Sequence, residues 1–240
     1  MGCLIGVPIA ACMMIPIIIA FIGVEQKRHA MVWALLFLGL IILNQALVSL
    51  PFQTGINVAY HLYWNWFGKL FEIAWAIPFI ALGPITFANA GFRKPLPATT
   101  ARAITVAIIV AILAFIVDWF LHTNTPRSTA MFLYQLTMPT IAEETVFRGV
   151  LFAVLEKAFK ARDQTEQHWW QSRAVWLTTL VFALVHGWTV EHGAFQFNAA
   201  ACIFPFIFGL IAGALRKYSG SLAFPMALHS VVNVAAATFP

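Results

Sequence analysis

The sequence predicts an all-α, polytopic membrane helix bundle of about eight transmembrane helices, with both termini extracytoplasmic. Three observations predict it. Of the 240 residues, 61% are hydrophobic and only 10% are charged, whereas a soluble domain is nearer one-quarter charged. Apolar runs of roughly 20 residues recur along the chain, the length needed to cross a ~30 Å hydrocarbon core. Lys and Arg gather in alternate connections between those runs, as the positive-inside rule requires of a protein threaded through a bilayer.

The runs fall at roughly 4–24, 30–50, 70–91, 102–121, 130–158, 174–189, 195–215 and 219–238. The first lacks a preceding positive residue and is followed by Lys27 and Arg28, so it reads as a retained span and not as a signal peptide. The opening "MGCLIG" lacks the Ser or Thr of a myristoylation signal. The third run contains Glu72 and two prolines. The first, third, fifth and seventh connections hold Lys27, Arg28, Arg93, Lys94, Arg102, Lys157, Lys160, Arg162, Arg173, Arg216 and Lys217. Lys69 and Arg127 fall in the second and fourth, and Arg148 lies inside a span. Odd connections are therefore expected on the cytoplasmic side. Trp119, Trp188 and "YHLYWNWF" (60–67) fall at outer boundaries, and Trp169 and Trp170 near an inner one. Interfacial aromatic belts account for this, and "YHLYWNWF" reads as an interfacial helix.

The net charge of +5 does not form a basic stripe, so no nucleic-acid partner is expected. Cys3, Cys12 and Cys202 lie in apolar context without CxxC spacing and give no sign of a disulfide framework or a metal knuckle. Residues 1–127 divide from 128–240 as four N-terminal spans, serving structure and substrate access, and four that carry the chemistry.

That chemistry gathers at one depth. Glu143 lies about 20 Å along the fifth span at 1.5 Å per residue, and His186 and His229 come out near the same midplane on two other helices. A charge there costs at least ~2.5–3.5 kcal/mol, so such groups normally face a partner or a water-filled cavity. Glu144 and Arg148 are i, i+4 in the favourable order and are expected to pair as a structural clamp. Glu143 is about 100° around the helix. With no cation on its own face it is left available for proton transfer. His229 and Asn233 are also i, i+4 and share a side, as do Phe182 and His186. Small residues in "GLIAGAL" permit close helix packing beside them. Asn198, one turn into the seventh span, is the remaining residue expected to line the cavity. His29, His61, His122, His168 and His192 fall in loops or at interfaces, and Asp118 and Glu191 at outer helix ends.

The motifs "EETVFR" (143–148), "FALVH" (182–186) and "HSVVN" (229–233) resemble, in that order, the CPBP family. This comprises the type II CAAX prenyl endopeptidases and their bacterial relatives, formerly the Abi family. The resemblance covers roughly residues 128–238. It implies an intramembrane endopeptidase in which Glu143 and His186 activate a water for attack on a peptide carbonyl. His229 and Asn233 would stabilise the oxyanion, and Glu144 with Arg148 would hold the architecture.

Family members are often named metalloproteases, and Glu143, His186 and His229 offer one carboxylate and two imidazoles to a catalytic zinc. Ligation would leave no free carboxylate as base, and there is no HExxH, so a glutamate-dependent mechanism without a cofactor is favoured. The expected substrate is a membrane-associated protein or peptide, processed at a CAAX-type site or elsewhere, in a prokaryotic plasma membrane. The alternatives are a proteolytically silent membrane scaffold or immunity protein, and a proton-coupled transporter. A transporter commonly shows inverted repeats and paired broken helices, and neither is visible.

Overall fold

A computed structural model describes residues 27–61, 64–121, 128–163, 168–191 and 194–238. The first expected span, 4–24, lies outside them, as do Cys3 and Cys12. The described elements are almost entirely helical. They run α1 (Lys27–Thr54), α2 (Ile56–Ala59), α3 (Trp66–Leu82), α4 (Pro97–Leu121) and α5 (Thr129–Glu143). A π-helical segment (Glu144–Leu151) continues α5 into α6 (Phe152–Asp163), followed by α7 (Arg173–Gly187), β1 (Trp188–Glu191), β2 (Ala194–Phe197), α8 (Ile203–Ser219) and α9 (Ala223–Thr238). Among the described residues three helices are long and apolar enough to cross a membrane, over Met31–Thr54, Pro97–Val117 and Ala200–Ser219. Along α4 the residues Ile104, Ile108, Ile112 and Ile116 are all exposed, which makes it the least buried of these three helices.

The fifth expected span forms the centre. Pro139 inside α5 has no N–H to give. Past it the backbone widens into the π-helical segment, in which every residue from Glu144 to Leu151 is buried. Widened turns of this kind occur frequently at functional sites. The tight packing expected of "GLIAGAL" is present. A Cβ on Gly209 would sit 3.3 Å from an Arg148 guanidinium nitrogen, and one on Gly213 would sit 3.2 Å from Val175.

Several expectations are corrected. "YHLYWNWF" is not a separate interfacial helix in its described part. Asn65 caps α3 by accepting from Gly68 N at 3.2 Å, and Trp64 and Trp66 pack on Tyr134 at 5.7 and 5.3 Å. The seventh run does not begin as a helix: residues 194–197 pair antiparallel with 188–191. Asn198 then closes the hairpin, donating its N–H to Gly187 O at 2.8 Å and accepting at its side chain from Ala200 N at 3.0 Å. It caps a turn instead of lining a cavity. A Cβ at Gly187 would lie 2.8 Å from the Phe197 ring and 3.2 Å from Asn198 O, so glycine after His186 lets the hairpin fold back directly against the helix end.

Arg216, assigned by sequence to a cytoplasmic connection, is buried. Its Nε donates to Arg148 O at 3.1 Å, and a second guanidinium nitrogen donates to Asn89 O at 2.5 Å. The first of these satisfies a carbonyl of the widened segment. Hydrogen bonds to charged groups are worth about 1.5–3 kcal/mol each. Arg216→Met is therefore expected to lower the melting midpoint of the detergent-solubilised protein by several degrees. An unchanged midpoint would show that the widened segment needs no such support.

Candidate active site

The structure brings the three motifs together at the α5–π junction. Glu144 and Arg148 are fully buried and pair at 3.0 Å, as their spacing predicts. Arg148 also lies over the Phe182 ring, 4.1 Å from its centroid. Phe182 stands edge-on to Phe147 at 5.1 Å and packs against both histidine rings, at 4.5 Å from His186 and 6.3 Å from His229. The aromatic residue of "FALVH" thus joins the three motifs.

The histidines differ in what their second nitrogen can do. His186 Nδ1 lies 2.7 Å from Phe182 O. A carbonyl only accepts, so Nδ1 carries the proton and Nε2 of the neutral ring is an acceptor. His229 Nδ1 lies 2.7 Å from Glu144 Oε1, and its Nε2 lies 3.9 Å from Glu143 Oε2. One imidazole therefore stands between two carboxylates that the 100° argument had placed on separate faces.

The largest correction concerns Glu143. The sequence left it without a cation, but Lys69 Nζ lies 2.8 Å from its Oε1. Lys69 is not in a loop. It lies in the first turn of α3, buried, and also pairs with the buried Glu72 at 2.5 Å. The signal available was the Lys69–Glu72 spacing of three within "WFGKLFEIAW", which places opposite charges on one helix face. Glu143, Lys69, Glu72, His186, Asn44 and Asn65 line a cavity of about 210 Å³. His186 is exposed at the surface of this polar hollow. Asn233 is half-buried on α9, one turn beyond His229.

Among the described residues no group of three or more His, Cys, Asp or Glu side chains is disposed to hold a metal ion. Glu143 Oε2 and His229 Nε2 lie 3.9 Å apart, and an ammonium already lies against the Glu143 carboxylate. As placed, Glu143, His186 and His229 are not gathered as the three protein ligands that a catalytic zinc takes.

Comparison with known proteins agrees with the motifs. Residues 123–235 match the family model of type II CAAX prenyl endopeptidase Rce1-like proteins. No curated protein and no solved structure matches the chain. The matched segment contains Glu143, Glu144, Arg148, His186, His229 and Asn233, while Lys69 and Glu72 lie before it. The chain is an integral membrane protein whose residues 123–235 are similar to the Rce1-like type II CAAX prenyl endopeptidases.

Proposed function

We propose that the protein is an intramembrane endopeptidase that hydrolyses a peptide bond of a membrane-associated protein or peptide, CAAX-type tails included. Water attack is driven by Glu143 without a metal. The observation that carries this reading is the division between two neighbouring carboxylates. Glu144 is sealed from solvent, while Glu143 is partly accessible, with its side chain 12% exposed, and lines a polar cavity.

Glu143 Oε1 is held by Lys69, which leaves Oε2 as the base. A water in the cavity gives one proton to Glu143 Oε2 and directs its other hydrogen to His186 Nε2, an acceptor in the tautomer fixed by Phe182 O. The oxygen attacks the peptide carbonyl carbon, the C=O π pair moves onto oxygen, and Glu143 delivers its proton to the departing amine. The developing oxyanion needs donors. His229, whose Nδ1 lies against Glu144 Oε1, and the Asn233 amide are assigned as those donors. Glu144 and Arg148 then orient His229 instead of reacting. The eight-span arrangement with extracytoplasmic termini, and a division of labour near residue 127, belong to this proposal.

The test compares protein and peptide termini in cells carrying wild type or Glu143→Gln at matched expression. Termini present only with wild type support a protease and name its substrate. An unchanged set, with the variant still rescuing a deletion phenotype, favours the scaffold. In purified protein Asn233→Ala is expected to lower kcat about 10²–10³-fold while the melting midpoint holds. A kcat within threefold of wild type would remove Asn233 from the oxyanion role.

A further inference from the structure

Lys69 and Glu72 lie outside the matched segment, and nothing in the motifs calls for them. Their geometry is nonetheless built around Glu143. Lys69 Nζ reaches Glu72 Oε2 at 2.5 Å and Glu143 Oε1 at 2.8 Å. Glu72 Oε1 accepts from Asn44 Nδ2 at 2.8 Å, and Asn44 Oδ1 accepts from Trp75 Nε1 at 3.0 Å. The chain of contacts runs from Trp75 on α3 through Asn44 on α1 to Glu72 and Lys69, and ends on the reactive carboxylate.

We propose that Lys69 is a positioning residue of the reaction, and that α1 and α3 complete the active site through it. This rests on the reading of Glu143 as the base. A lysine needed only to neutralise Glu72 would have its partner three residues away and no reason to reach α5. Here one ammonium is shared by two carboxylates, and of the two Glu143 is the more accessible. Glu72 is almost fully buried and gives the ammonium a second anchor beside the cavity that both residues line. Tying down Oε1 turns Oε2 toward His229 Nε2 at 3.9 Å and removes the rotation that would let either oxygen meet water at a poor angle. A reacting group misplaced by 1 Å costs on the order of 100-fold in rate.

The experiment uses the full chain in proteoliposomes and a farnesylated CAAX peptide carrying a fluorophore and a quencher. Lys69→Ala is expected to lower kcat about 100-fold with KM within twofold, because the lysine touches the base and not the peptide. Lys69→Arg, which keeps the cation, should retain kcat within about tenfold. Millimolar ethylammonium should restore part of the activity of Lys69→Ala in a concentration-dependent way, since the cavity of about 210 Å³ beside the site admits it. A merely structural lysine would show no such rescue. If Lys69→Ala does not fold, Lys69→Ala/Glu72→Gln removes the orphaned buried charge and takes its place. Near-wild-type kcat in a folded variant lacking Lys69, or loss without amine rescue, overturns the proposal. Glu143→Gln run in parallel separates the two readings. If it is inactive while Lys69→Ala is active, only the role of Lys69 falls. If Glu143→Gln itself cleaves the peptide, the glutamate mechanism falls as well.

Discussion

Glutamine at position 143 is expected to lower kcat by at least 10²–10⁴-fold, the range supplied by a positioned general base, with little effect on folding. The amide keeps the size and one carbonyl oxygen for the Lys69 ammonium, which now lies 2.8 Å from the carboxylate. What it loses is the second oxygen facing His229 Nε2, the acceptor assigned to take a proton from water and hand it to an amine. Glu144→Gln should behave differently. Its carboxylate is sealed and already committed to Arg148 at 3.0 Å and His229 at 2.7 Å, so its neutralisation should act on stability and on His229 before it acts on the chemistry. Steady-state cleavage of a quenched peptide, read beside melting midpoints, distinguishes the two. Equal losses of kcat and of midpoint in both variants would show that the adjacent acids are not divided into base and clamp.

The features legible in the sequence are those set by local spacing. Glu144 and Arg148 meet because four residues bring them onto one face, and the widened helix still permits it. His186 and Phe182 meet for the same reason, through the carbonyl of one and the ring nitrogen of the other. Glycines at 209 and 213 read correctly as a close-packing surface. What escaped depends on contacts far apart in the chain. Counting Lys69 and Arg216 as loop charges treated each cation as solvated. Both instead point inward to partners on other elements, Glu143 in one case and the Arg148 and Asn89 carbonyls in the other. The separation of Glu143 from Glu144 by 100° assumed a uniform 3.6-residue period. His229, arriving from α9, faces both. Hydropathy alone could not distinguish the hairpin strand "AFQF" from the start of an apolar helix, because four apolar or neutral residues satisfy either.

Methionine at position 148 is expected to be the most destabilising single change in the chain. The guanidinium is among the largest fully buried groups. It contributes one hydrogen bond to Glu144 and a face contact to Phe182 at 4.1 Å. Its loss leaves the Glu144 carboxylate buried against His229 alone, with its other oxygen lacking a hydrogen-bond partner among the described residues. Removing one member of a buried ion pair typically costs about 3–5 kcal/mol. For a chain of this size that corresponds to a drop on the order of 10 °C in midpoint. The double variant Arg148→Met/Glu144→Gln removes the orphaned charge but keeps an oxygen to accept from His229 Nδ1. It should recover more than about 1 kcal/mol of that loss, as contacting residues in a mutant cycle do. If Arg148→Met melts within about 2 °C of wild type, the pair does not hold the site together. If the double variant is no better than the single, the arginine acts through its packing on Phe182 and not through its charge. Recovery of stability without recovery of cleavage would place the clamp's second task in holding His229 at the angle from which Nε2 can reach an oxyanion.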